Sequence, residues 1–181
     1  RLINELTFYS GIDNNRIPYN FHRINVADYF DDCVEEVGLD LESKNIELNY
    51  SNLAEPDTLV IADPEQMKKV INNIISNSVK YLDKPHGVID IRILDERDSI
   101  RVEIEDNGKG IAQKDVPKIF ERFYRTDASR NSAQGGSGIG LSIVKKIVED
   151  HGGYIWATSR EGEGTCMHFV LRKYMELQDG K

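Results

Sequence analysis

The residue pattern predicts an α/β (α+β) two-layer sandwich, with a mixed, mostly antiparallel sheet covered on one face by three helices. Three observations carry this prediction. Apolar residues recur at helical spacing in three long segments, around 28–43, 64–81 and 138–151. Two pairs of alternating segments, 88–94 with 100–104 and 154–158 with 165–171, are joined by polar or glycine-bearing turns and read as hairpins. Strands also cluster instead of alternating regularly with helices, which argues against a doubly wound parallel sheet.

Each element has its own local reason. Leu2, Ile3, Leu6, Tyr9 and Ile12 give residues 1–13 the look of the end of an amphipathic helix, and the polar run ending at Pro18 breaks it. Residues 22–26 form a short strand. Phe30, Val34, Val37 and Leu41 then share one face of a helix over 28–43, although Gly38 weakens it. Residues 46–50 alternate as a half-buried strand does, and 59–61 are short and apolar. Asp63 is placed to cap the next helix, Pro64 suits its first position, and Gln66 sits where a capping-box partner belongs. That helix runs to Tyr81 and buries Met67, Val70, Ile71, Ile74 and Ile75. After the first hairpin, 116–123 reads as a short helix and 126–135 as a polar mobile loop. Gly152 and Gly153 stop the helix over 138–151 before the closing hairpin turns at Gly162 and Gly164. Residues 176–181 read as a frayed tail.

The chain has 181 residues, 39% hydrophobic and 30% charged, enough for one domain with a real core. Its net charge of −8 lacks the concentrated basic face of a nucleic-acid binder. No apolar run nears the ~20 residues of a membrane span, and no signal peptide is visible. Cys33 and Cys166 fall in apolar-patterned segments, as reduced core residues do. His22, His86, His151 and His168 lack metal-ligand spacing.

Three polar or glycine-rich motifs follow in order. Asn73 and Asn77 are one helical turn apart, with Lys80 on roughly the same face. Amide oxygens suit Mg²⁺ that already carries phosphate and water, and Lys80 suits a phosphate. A solvated helix face would carry the same spacing, yet asparagines at 72, 73 and 77 are poor helix formers. Asp106-Asn-Gly108-Lys-Gly110 leaves a strand. It reads either as a turn or as an aspartate accepting the amino group of adenine, with Gly108 and Gly110 allowing close approach to the base. Gly135, Gly136, Ser137, Gly138 and Gly140 open a helix whose N–H groups form an anion site, and a lid hinge would use the same glycines. Neither a dinucleotide fingerprint nor a Walker A sequence occurs. Together the motifs describe an ATP site.

Their order resembles the sensor histidine kinases over about residues 22–172. Residues 73–81 resemble the N box, 106–110 the first glycine box, 119–125 the F box, 136–141 the second glycine box, and 162–165 the last short glycine motif. The resemblance implies the Bergerat-type ATP fold and assigns roles by position. Asn77 would be the main Mg²⁺ ligand, with Asn73 beside it, and Lys80 and Tyr81 would face the nucleotide. Asp106 would bind the adenine amino group, while Gly108, Gly110 and Ile111 line the base pocket with Phe120 of the F box nearby. Arg125 would contact the γ-phosphate, although a surface arginine would also fit that position. Residues 126–137 would form the ATP lid; Gly136, Ser137, Gly138, Gly140 and Leu141 would hold phosphates and base, and Thr165 would close the pocket. Ser137 stands where threonine is common.

Two absences refine the expectation. Hydrolysing relatives place a glutamate four residues before the metal-binding asparagine; here that residue is Asn73, which is no general base, so hydrolysis should be slow. None of the four histidines precedes Asp or Glu, as a phosphoacceptor would. The implied layout is the end of a dimerisation and phosphoacceptor hairpin over 1–13, a linker over 14–21, a catalytic ATP-binding domain over 22–173 and a tail over 174–181. The implied partners are that hairpin, a cognate response regulator and a second copy of a parent anchored at the cytoplasmic side of a membrane. A serine kinase of the anti-sigma type, or a nucleotide-responsive binding module without transfer, would share these motifs.

Overall fold

The computed structural model describes residues 17–122 and 140–175. The expected helix over 1–13, Arg125, the lid over 126–137 and Gly136, Ser137 and Gly138 lie outside the described residues. In chain order the elements are β1 (His22–Asn25), α1 (Val26–Ser43), β2 (Glu47–Asn52), β3 (Leu59–Ala62) and α2 (Pro64–Lys80). There follow β4 (Val88–Glu96), β5 (Ser99–Asp106), a 3₁₀ turn (Val116–Lys118), α3 (Gly140–Asp150), β6 (Tyr154–Arg160) and β7 (Gly164–Arg172).

Five strands form one sheet in the order β2-β4-β5-β7-β6, and β1 pairs with β3 in a separate antiparallel ribbon. Only the β2–β4 pairing is parallel; the other three in the sheet are antiparallel. Alternation makes the sheet one-sided. Ile89, Ile91 and Ile93, then Ile100, Val102 and Ile104, then Met167, Phe169 and Leu171 are buried, on the face that packs with the helices. From α1 come Phe30, Cys33, Val37 and Leu41, from α2 Met67, Val70, Ile71, Ile74 and Ile75, and from α3 Val144, Ile147 and Val148. This is the expected two-layer sandwich with a mixed sheet.

Local departures have local causes. The first long helix begins at Val26, not Asp28, because the Asn25 side chain caps it by accepting the Asp28 N–H at 2.9 Å. The helix expected over 116–123 shrinks to the Val116–Lys118 turn, where Pro117 withholds a backbone donor. The first hairpin is tighter than expected, with Glu96 and Ser99 paired across a two-residue turn.

The cap of α2 ties the domain together. Asp63 accepts the Glu65 and Gln66 N–H groups through Oδ1 and the Asn20 N–H through Oδ2 at 2.8 Å. The described part of the 14–21 segment therefore lies against the domain, and the Tyr19 hydroxyl donates to Asp150 at 2.6 Å. His151 closes the same junction. Its Nδ1 meets the Ile147 carbonyl at 2.8 Å and its Nε2 accepts the Asp63 N–H at 3.0 Å, so the ring is neutral with its proton on Nδ1.

Candidate nucleotide-binding site

The end of β5 is where three of the motifs meet. Asp106 is the last residue of that strand, buried, and paired across the sheet with Thr165 of β7 on one side and Ile89 of β4 on the other. Its Oδ1 accepts the Gly108 N–H at 2.8 Å. Burial pushes the carboxyl above its ordinary pKa, while the Gly108 N–H, the Ser78 side chain and the Thr165 backbone act in the opposite direction. Ser78, buried on α2, was not singled out from the sequence. Its signal was a hydroxyl on the apolar face of a helix, at a position where only a polar partner justifies burial.

Glycines also hold this corner together by letting parts of the chain's own backbone approach closely. A Cβ on Gly108 would stand 2.4 Å from the Tyr81 carbonyl oxygen and 2.9 Å from Asp106 Oδ1. Gly110, at φ +77°, would place one 2.3 Å from the Arg160 carbonyl oxygen. The chain's own backbone thus fills the space at both. The loop after β5 is clamped to the end of α2 by the Lys109 N–H to the Tyr81 carbonyl (3.0 Å), and to the last hairpin by the Gly162 N–H to the Lys109 carbonyl (2.7 Å). Asn107 fastens the other side, accepting the Val88 N–H at 2.9 Å and donating to the His86 carbonyl at 3.0 Å.

The asparagine face of α2 leads into this corner. Asn73 and Asn77 are half-buried, and neither amide has a hydrogen-bond partner among the described residues. Lys80 and Lys109 approach the Tyr81 ring at 5.6 and 5.5 Å, and Lys84 donates to the Gly108 carbonyl at 2.9 Å. Lys80 and Lys109 thus bring positive charge to this glycine turn, while the charge of Lys84 is shared with Asp83 at 3.0 Å. Ile111 is buried, Phe120 and Leu141 pack half-buried against the core, and Gly140 opens α3. Thr165 is buried with its hydroxyl 2.8 Å from Ser159 Oγ, a second polar residue the sequence reading passed over.

These donors and acceptors fit an adenine nucleotide with a divalent cation. A buried carboxylate offers about four acceptor positions; at Asp106 the Gly108 N–H takes one at 2.8 Å, and the Ser78 side chain and the Thr165 backbone also approach it. The neutral amide oxygens of Asn73 and Asn77, without a hydrogen-bond partner among the described residues, match a hard cation that brings its own phosphate and water ligands.

A competing cluster sits on the opposite face of the sheet. Glu103, Cys166 and His168 offer an oxygen, a sulfur and a nitrogen within 4.8 Å of one another. The fold already uses all three. Arg92 donates to Glu103 at 2.9 Å and Glu105 at 2.7 Å, and His168 bridges Glu103 and Thr158, each at 2.9 Å. Burial pushes the Cys166 thiol up to about 12, which keeps it protonated. A cation there would meet the Arg92 guanidinium, so the cluster reads as a cross-strand ionic network.

Residues 62–175 match the family described as histidine kinase-, DNA gyrase B- and HSP90-like ATPases. The chain is 36% identical over 180 residues, 99% of its length, to the sensor histidine kinase WalK of Bacillus subtilis (strain 168). It is 34% identical over 183 residues to the sensor protein kinase WalK of Staphylococcus aureus. It spans only 29% and 43% of those two proteins. Among solved structures, the catalytic domain of histidine kinase ThkA superposes with a TM-score of 0.72 at 28% identity, covering 85% of this chain and 96% of that one. A mycobacterial sensor histidine kinase, MprB, also gives 0.72, at 26% identity over 84% of this chain and 98% of that one. Since the matched span contains α2, Asp106 and Thr165 with their surroundings, the chain belongs to the histidine kinase-, DNA gyrase B- and HSP90-like ATPase family.

Proposed function

We propose that this chain is the ATP-binding and catalytic part of a two-component sensor kinase. It directs the γ-phosphoryl group of ATP to a histidine on a dimerisation hairpin, from which a response-regulator aspartate takes it. The observation that carries the reading is the convergence of the α2 asparagine face on Asp106, through the Tyr81–Lys109 clamp and the buried Ser78. Members of the matched family bind ATP, the relatives are named as sensor kinases, and one ThkA structure is a complex with its response regulator TrrA. These relatives favour a histidine kinase over a serine kinase of the anti-sigma type.

Each residue has one task. Asp106 accepts the adenine amino group, with Ile111, Phe120, Leu141 and Thr165 around the base. Asn77, assisted by Asn73, holds Mg²⁺, whose charge offsets that of the phosphates. Lys80 adds a positive charge beside them, and Arg125 serves the γ-phosphate. Gly136, Ser137, Gly138 and Gly140 supply backbone donors from the lid and the start of α3. Tyr81, Gly108 and Gly110 keep the corner closed. Catalysis is then positioning and charge neutralisation, with the proton of the acceptor histidine taken outside this chain. Asn73 offers no base to water, which protects the γ-phosphoryl group from hydrolysis.

The whole kinase acts as a homodimer anchored at the cytoplasmic side of the membrane. No described helix is itself long and apolar enough to cross one. Incubating the full-length kinase with γ-labelled ATP and Mg²⁺ tests the transfer. Acid-labile, alkali-stable protein label is expected; acid-stable label would make it a hydroxyl kinase instead.

A further inference from the structure

The inner face of the sheet ends in a polar row that runs across three strands: Asp106 of β5, Thr165 of β7 and Ser159 of β6, paired in register. Ser159 is the hub of the hydrogen bonds at its far end. Its Oγ accepts the Ile111 N–H at 2.8 Å, lies 2.9 Å from the Gly164 carbonyl and 2.8 Å from Thr165 Oγ1. A serine hydroxyl has one proton and two lone pairs. The Gly164 carbonyl has no proton, so only Ser159 can supply that bond. The Ile111 N–H takes one lone pair. The remaining contact is then made only if Thr165 donates its proton to Ser159. One assignment satisfies all three bonds.

Its consequence reaches the base pocket. With its proton turned to Ser159, the Thr165 oxygen has only lone pairs left, in the cross-strand row of the Asp106 carboxylate. Asp106 itself is approached by the Thr165 backbone and not by its hydroxyl. Two acceptors side by side match an amino group with two N–H donors and oppose a carbonyl oxygen.

We propose that Ser159 is a positioning residue that holds the Thr165 hydroxyl as an acceptor, so that Asp106 and Thr165 together select a 6-amino purine over a 6-oxo purine. This rests on the reading of Asp106 as the adenine-binding residue. Replacing Ser159 by alanine frees the Thr165 proton to turn toward the base and serve a carbonyl.

The test is the affinity of the chain for Mg-ATP and for Mg-inosine triphosphate, which carries a carbonyl where adenine carries its amino group, measured by calorimetry. Ser159→Ala should lower the ATP-to-inosine preference roughly 3- to 10-fold, the scale of one neutral hydrogen bond. Ser159→Thr should restore it, and Ser159→Ala should add nothing in a Thr165→Val background. An equal loss for both nucleotides would show that Ser159 only braces the backbone, and would overturn the proposal. A wild-type chain that binds ATP without preferring it would instead overturn the Asp106 reading beneath it. Should Ser159→Ala not fold, Thr165→Ser must keep the preference and Thr165→Val must lose it; any other result overturns the proposal.

Discussion

Asp106 Oδ1 accepts the N–H of Gly108, two residues further on, at 2.8 Å, in a place where burial already pushes the carboxyl above its ordinary pKa. The charge at this corner is held against a desolvation cost. A folded-state value raised above the unfolded one means that ionised Asp106 weighs on stability as pH rises through it. Asparagine keeps the shape, can accept the same N–H, and carries no charge. Asp106→Asn should therefore leave the melting temperature equal or higher. Its amide donors would face the amino donors of adenine, so ATP affinity should fall at least about 30-fold, roughly 2 kcal/mol. Parallel melting and calorimetry check the two halves; loss of stability together with binding would mark Asp106 as structural only.

Asn77 tests the metal. Its half-buried amide has no described partner to lose, so Asn77→Ala should change stability by no more than about 0.5 kcal/mol. The variant should lose the enhancement that Mg²⁺ gives to ATP binding while keeping its metal-free affinity. Titrations with Mg²⁺ and with a chelator decide this.

Two glycines should respond with opposite sign. Gly164 sits at φ +137°, and a Cβ there would lie 1.9 Å from the Asp106 carbonyl oxygen. Gly164→Ala should cost about 2 kcal/mol or more and disturb the site. Gly38 lies inside α1 with only Leu48 Cδ2 near its Cβ position, at 3.4 Å. Gly38→Ala should stabilise by up to about 1 kcal/mol through helix propensity. Urea denaturation of both variants measures the contrast.

His151 predicts an acid weakness. Burial lowers its pKa, the Ile147 carbonyl and the Asp63 and Asp150 charges opposing this. Its Nε2 must stay bare to accept the Asp63 N–H. A depressed folded value means the contribution is whole above the ordinary histidine range of about 6.5 and is lost as pH falls below it. Between pH 7 and 5 the melting temperature should drop more in the wild type than in His151→Gln. Equal slopes would contradict this.

Much of this architecture was legible because its signals are local. The Asp63–Pro64 helix start, the one-sided alternation of β4 and β5, and the glycine stop after His151 each follow from short-range physics. The parallel β2–β4 pairing and the separate β1–β3 ribbon were not, since pairing depends on contacts far apart in sequence. The site divided along the same line. As candidates, Asn73 and Asn77 could be named from their spacing and Asp106 from its place at the end of a strand. Ser159 could not, because its partners come from other elements, and Ser78 offered only a hydroxyl on the apolar face of a helix. What the sequence did not reveal at Gly108 and Gly110 is how closely the chain's own backbone, at Tyr81 and Arg160, packs against them.

The most direct test of the central claim is transfer between chains. The full-length kinase carrying Asn77→Ala, with its hairpin intact, should not label itself with γ-labelled ATP. Adding the unmodified 181-residue chain should then place acid-labile, alkali-stable label on the full-length protein and none on the short chain. Label that stays on the short chain, or no transfer despite ATP binding, would contradict the account.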